Sequence, residues 1–260
     1  MIEKNVNIIH DSSIKRIVEY SEDSKQINIL DNRYYRRNGK FYPSVTSVLN
    51  YFPKNKFFHD WLKEVGANSE FIAQKAAGEG TQVHNAINDL LNKKQIEWID
   101  EFGKVKYQLD VWKMILKFSE FWNKFKPELV ATEYHLFSDE HEYAGTADII
   151  CRLNGVLWLI DVKTSKSLHR TNDLQLAAYA TAWNESHDEK IIETGILWLK
   201  AAIKKEGKGE QMQGKGWALK SIGDIETNLL IFKNIYSIYK LENPSMKPYS
   251  EILPTFVKLD

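Results

Sequence analysis

Two carboxylates and one lysine in the middle of the chain are spaced so that they could handle phosphate chemistry. Tyr143 to Leu153 and Val156 to Thr164 read as strands, and Asn154-Gly155 between them suits a two-residue hairpin turn, in which both positions need positive φ. With those two residues as the loop, Leu153 faces Val156. Counting back along both strands then sets Asp148 opposite Asp161 and Thr146 opposite Lys163. Side chains alternate along a strand, so Asp161 and Lys163 share a face, and that face collects two carboxylates and an ammonium. The flanking Ile149, Ile150, Leu157, Trp158, Leu159 and Ile160 mark the hairpin as largely buried, where like charges set opposite one another destabilise a sheet. A hard divalent cation would compensate them, because Mg²⁺ favours oxygen ligands and is held by one or two carboxylates plus water and substrate phosphate. A lysine beside the ion would orient or deprotonate the attacking water and offset charge on a phosphate under displacement. The residues alone leave a plainer alternative open: a buried salt bridge between Asp161 and Lys163, with Asp148 half exposed.

The elements that must hold this hairpin follow from periodicity and punctuation. Residues 1–43 alternate polar with β-branched or aromatic residues, and Asn38-Gly39 predicts a tight hairpin, so this is a small strand-rich segment. Ser44 is placed to cap a helix over 45–52, and further helices are expected at about 55–66, 68–93 and 105–126. In the last of these, Val105, Leu109, Trp112, Ile115, Leu116, Trp122 and Phe125 form an apolar face, read as core packing. A strand over 129–137 precedes the hairpin; a helix at about 171–185, a strand near 194–200 and a helix over 224–241 follow it. Residues 200–220 carry Lys200, Lys204, Lys205, Lys208, Lys215 and Lys220 with Trp217 among them, which reads as a flexible basic ribbon, either solvated or touching phosphate. A tail punctuated by Pro244, Pro248 and Pro254 ends the chain. The expected fold class is α/β. The expected divisions are 1–43, a helical region at 44–128 with arch or wall helices, and a core at 129–260, together one compact domain.

Composition narrows the function classes. Lysine plus arginine equals aspartate plus glutamate at 35 each, so no global positive field advertises nucleic acid and phosphate binding must come from local patches. The single cysteine, Cys151, excludes a disulfide scaffold and any four-cysteine zinc or iron–sulfur site; it fits a reducing compartment and a small buried residue. No secretory signal and no apolar run long enough to span a bilayer is present, so the expectation is a soluble intracellular protein with no membrane partner.

The ordered set Gly145-Thr146-Ala147-Asp148, Asp161-Val162-Lys163-Thr164 and Gln175-Leu176-Ala177-Ala178-Tyr179 resembles the PD-(D/E)XK nuclease superfamily, in its RecB-like exonuclease branch. Phage-type exonucleases and the mitochondrial genome maintenance exonuclease belong to that branch. Ala147 stands where the superfamily has its eponymous proline, and Asp161 where glutamate is commoner. The resemblance implies a restriction-endonuclease-like core, a mixed central β-sheet flanked by helices, with an N-terminal helical region. It implies Asp148 and Asp161 as metal ligands, with the Val162 carbonyl completing the shell and Lys163 serving the water. The branch also carries a histidine ligand in a Gly-x-x-x-His context, matched by Gly80-Thr81-Gln82-Val83-His84. Residue pattern alone makes His84 a core residue beside Ala77, Ile87 and Leu91; the resemblance makes it a ligand and admits Mn²⁺ as well as Mg²⁺, as one or two ions. Glu133 matches an additional acidic position. Gln175 and Tyr179, four apart on one helix face, are implied to position substrate, and Thr164 and Lys166 to touch phosphate.

The implied activity is metal-dependent hydrolysis of phosphodiester bonds at DNA ends, on single strands or duplexes. It belongs to recombination, repair, replication or phage DNA processing, with a single-strand annealing or replication protein as a companion, in the cytoplasm of a bacterium or phage-infected cell. Members of the branch that hold an iron–sulfur cluster need four cysteines, which this chain lacks. A restriction-type endonuclease would need base-reading elements that the sequence does not display. A noncatalytic DNA-binding module of the same fold would lose the charged set, whereas His84, Asp148, Asp161 and Lys163 are all present.

Overall fold

In a computed structural model the described residues are 5–10, 17–19, 26–29, 32–201, 212–245 and 249–254. The chain runs β1 (Asn5–His10), β2 (Ile17–Glu19), β3 (Gln26–Ile29), β4 (Asn32–Arg37) and β5 (Lys40–Pro43), then α1 (Val45–Leu49), α2 (Lys56–Val65), α3 (Ser69–Leu91) and α4 (Leu109–Phe125). There follow β6 (Glu128–Ser138), β7 (Tyr143–Leu153), β8 (Val156–Lys163), α5 (Arg170–Ser186), β9 (Glu193–Trp198), β10 (Met212–Gly214), β11 (Trp217–Ser221), α6 (Ile225–Glu242) and β12 (Tyr249–Pro254). Six strands form a central sheet in the order β10-β11-β9-β8-β7-β6. The β8–β9 pair is parallel, bridged by α5, and the other pairs are antiparallel, so the sheet is mixed.

Strand β8 lies mid-sheet and reads as an almost unbroken apolar run because both its faces are covered. On one face Leu157 and Leu159 pack with Leu174 and Ala178 of α5, Phe232 and Tyr236 of α6, and Val45 and Val48 of α1. On the other, Ile160 and Val162 meet Val83 and Ile87 of α3 and Val111, Ile115, Phe118 and Phe121 of α4. Full burial of each such aliphatic or aromatic side chain stabilises the fold by roughly 1.5–3 kcal/mol. This is the expected mixed α/β core, a central sheet flanked by helices.

Local chemistry sets the turns and caps. Asn154 and Gly155 take φ of 54° and 80°, and Asn38 and Gly39 take 51° and 76°, as two-residue hairpins require. Ser44 caps α1 by accepting from the Ser47 N–H at 3.0 Å.

Three readings are corrected. Trp217 is fully buried against Phe121 and Phe125 and opens β11, so the described part of 200–220 is a sheet hairpin and no solvated ribbon. Gly214 permits this, since a Cβ there would stand 2.1 Å from the Trp217 indole. Lys204, Lys205 and Lys208 lie outside the described residues, as does Pro248. The tail contains a strand, because β12 pairs antiparallel with β1 along its whole length; Pro254 falls at the strand's end, where no further ladder bond is required. Lastly, the helix expected from 105 begins at Leu109, because Lys106 N–H bonds the Trp98 carbonyl at 2.8 Å and ties that segment to the preceding loop. No helix among the described residues is long and apolar enough to cross a membrane.

Candidate metal and catalytic centre

The β7–β8 ladder keeps the register that the turn dictates, from Leu153↔Val156 to Ile149↔Ile160. One step beyond, where Asp148 was expected to face Asp161 in a regular pair, the ladder opens. Asp148 turns its side chain into the gap, and Oδ2 accepts the Val162 N–H at 2.7 Å. Its own carbonyl accepts from the Thr132 hydroxyl at 3.0 Å. The neighbouring strand is distorted at the same level: the β6–β7 register pairs Thr132 with Ile149 and Tyr134 with Ala147, and between them Glu133 holds φ of 48°. A left-handed non-glycine residue inside a strand is costly, by about 1–3 kcal/mol, and such strain gathers at functional sites.

The splayed strands leave room for groups from two helices. From α3, His84 brings Nδ1 to 3.5 Å from Asp148 Oδ1 and 4.0 Å from Glu133 Oε1. Ligand atoms of His84, Glu133 and Asp148 all lie within 4.8 Å of one another. From α5, the Gln175 amide donates to Asp161 Oδ1 at 3.1 Å and its oxygen accepts from Lys163 Nζ at 3.4 Å, while Lys163 Nζ stands 2.8 Å from Asp161 Oδ2. That last contact is an ion pair, and among the described residues Lys163 is the one cation paired with the buried Oδ2. Asp161 is thus joined to the lysine on one side of the opening, and the acid–histidine trio occupies the other.

The electrostatics follow from burial and proximity. Burial alone would lower the His84 pKa, but the Asp148 charge and hydrogen bond outweigh it and raise it to about 9. Burial would raise Asp148; His84, Lys163 and the Val162 N–H outweigh it and hold Asp148 below the usual carboxylate range. Asp161, 3 % exposed, is pushed up to about 6 by burial in spite of Lys163. Burial and the Asp148 charge push Glu133 up to about 7. For Lys163, burial acts downward, yet Asp161 and Asp148 prevail and raise it, so it stands as an ammonium.

The structure brings His84, Glu133, Asp148, Asp161, Lys163 and Gln175 together. Val162 places its side chain in the core and its N–H on Asp148. Tyr179, expected toward substrate, is 3 % exposed, and its ring lies over Gly145, where a Cβ would stand 2.1 Å away. The same contact gives the Gly145 position a physical reason. Gln175, on the same helix face, contacts the Asp161 carboxylate and the Lys163 ammonium. Thr164 Oγ1 would lie 3.2 Å from a Cβ on Gly80, so α3 approaches β8 closely because Gly80 lacks one. Lys166 is exposed on the loop before α5 and lines a groove. A tyrosine–histidine pair escaped the sequence reading: the Thr146 hydroxyl lies 2.8 Å from Tyr35 Oη and 2.9 Å from His135 Nδ1. The signal available was His135, two residues from Glu133 on one strand; Tyr35 gave none, since its contact spans 111 residues.

No protein-family model matches this chain. No curated protein matches it. Among solved structures it is similar to one described as a "putative exonuclease" from Eubacterium rectale, at 15 % identity and a TM-score of 0.39, over 66 % of this chain and 69 % of that one.

Proposed function

We propose that this chain is a divalent-metal-dependent deoxyribonuclease that hydrolyses phosphodiester bonds at DNA ends, in recombination, repair, replication or phage DNA processing. The observation that carries the reading is the convergence of His84, Glu133 and Asp148 beside the Asp161–Lys163–Gln175 set, at the one place where the central hairpin splays. Two carboxylates and an imidazole suit Mg²⁺ or Mn²⁺, and Asp161 Oδ2, buried with only the Lys163 ammonium against it among the described residues, offers a further oxygen at the opening. His84, Glu133 and Asp148 would hold the ion, with Asp161 and the Val162 carbonyl adding oxygens. When bound, it would lower the pKa of a water and stabilise charge on the reacting phosphate.

The chain's own groups do the rest. Lys163, held as an ammonium, orients water and offsets phosphate charge, a task its raised pKa suits better than proton abstraction. Gln175 fixes both partners of the Asp161–Lys163 pair, and the Val162 N–H fixes Asp148.

The test is cleavage of end-labelled linear single-stranded and duplex DNA, with closed circles alongside, in Mg²⁺, Mn²⁺ or chelator. Linear DNA should be degraded from its ends with metal only, and circles should survive. Asp161→Ala and Lys163→Ala should each slow cleavage by about 10²–10³-fold. Undiminished cleavage in chelator, or by both variants, would overturn the proposal, as would a folded wild type that cuts nothing in either metal.

A further inference from the structure

The loop that leaves Lys163 forms one wall of a groove of about 870 Å³, whose other wall is the α1–α2 connection and the first turns of α2. Helix α2 is strongly two-sided, yet none of its residues is buried. Phe57 is 82 % exposed and Phe58 38 %, and both line the groove with Trp61, whose ring lies 6.0 Å from that of Phe58. Lys54 shares the wall of the rings, with Nζ 5.8 Å over the Phe58 ring; Lys166 and Arg170 belong to the opposite wall, and Arg170 is shared with Asp173 at 2.9 Å. No carboxylate lines the groove among the described residues. The wall bearing Lys166 is pinned, because the Trp198 indole donates to the Ser165 carbonyl at 2.7 Å and Ser165 Oγ to the Ser167 carbonyl at 2.7 Å.

We infer that this groove is a track for single-stranded DNA leading to the centre. The inference rests on the nuclease reading above and names the form of substrate that the centre receives. A wall of exposed rings facing a wall that bears Lys166 and Arg170 matches the two sides of an unpaired strand, bases on one and phosphates on the other. A duplex suits the groove poorly, since its bases are stacked on one another and present no π-face to Phe57, Phe58 or Trp61 except at an end. Lys166 follows Lys163 by three residues, so the groove wall is continuous in the chain with the strand that carries the centre.

The test measures binding apart from cleavage. Fluorescence anisotropy of labelled oligo(dT) and of a hairpin-closed duplex is recorded in chelator for the wild-type full chain, Phe57→Ala and Lys54→Glu. Thermal melts confirm that each variant folds, which the exposure of Phe57 favours. Phe57→Ala should weaken oligo(dT) binding about tenfold with an unchanged salt slope. Lys54→Glu should weaken it and reduce the slope of log K against log salt by about 0.7 or more. Duplex binding should hardly change. Equal oligo(dT) binding by all three proteins would overturn the inference, and so would an equal loss on the closed duplex. A wild-type dimer, seen by sedimentation, that Phe57→Ala dissociates would also overturn it and assign the groove to a second copy. If groove variants lose oligo(dT) while no metal supports cleavage, the track stands and the nuclease reading falls; if cleavage follows metal but groove variants bind normally, the reverse holds.

Discussion

Gln175 illustrates how much a single side chain can do at one remove. Its amide nitrogen holds Asp161 and its oxygen holds Lys163, so the carboxylate cannot rotate without breaking a bond made inside the protein. Truncating a group that orients a metal-site carboxylate typically lowers activity 10–100-fold. Gln175→Ala should therefore reduce kcat by roughly that factor with KM little changed; Gln175→Glu should not rescue it, since it puts a third negative charge beside Asp161. An unchanged kcat would show that Lys163 alone positions Asp161. His84 gives a second residue-level prediction. At pH 7.5 its raised pKa keeps it protonated, and an imidazole must lose that proton to bind a cation. Calorimetric titration with Mn²⁺ in two buffers of different ionisation heat should reveal about one proton released per ion bound, and affinity should fall as pH is lowered. His84→Ala should remove most of the buffer dependence, leaving the smaller share that Glu133 releases from its raised pKa.

At the scale of elements, the hairpin was legible because Asn-Gly turns and alternation are local signals, and its register followed from the turn alone. The splay at Asp148 was not legible. It depends on Glu133 taking a left-handed backbone and on Thr132 bonding the Asp148 carbonyl, contacts that reach across strands. Burial of Trp217 escaped the reading for a similar reason: lysines dominate its neighbourhood in sequence, while Phe121 and Phe125 come from α4, far back in the chain. The candidate ligands were named largely through resemblance; pattern alone placed His84 in the core, since Val83 and Ile87 on either side of it are indeed buried. The contact of Gly145 with Tyr179 is what fits α5 to β7, and it makes a quantitative prediction. Gly145→Ala should destabilise by about 1–3 kcal/mol through overpacking, measured by urea unfolding. In the double variant Gly145→Ala/Tyr179→Leu the two effects should fall short of their sum, because a smaller side chain at 179 relieves the clash. Strict additivity would mean the helix shifts instead.

Across the molecule, the buried charges link stability to pH in one direction. His84 has a folded pKa of about 9 against an ordinary 6.5, so its contribution is fully present below pH 6.5 and is lost as pH rises through 9. Asp161 and Glu133, raised to about 6 and about 7, bind protons more tightly folded than unfolded, so stability also declines as they ionise. Asp148 acts oppositely, but only below the ordinary carboxylate value. In chelator the melting temperature should therefore fall steadily from pH 5 to pH 9, and Mn²⁺ should restore most of the loss at the alkaline end. A flat profile would mean that the acidic cluster relaxes away from the geometry described here. The lone thiol has a consequence of its own. Cys151 is 0 % exposed in β7, three residues from Asp148, and burial pushes its pKa up to about 12. Thiol reagents can reach it only when that strand leaves the sheet, so the rate of labelling is a natural clock for how often the candidate centre comes apart and reassembles.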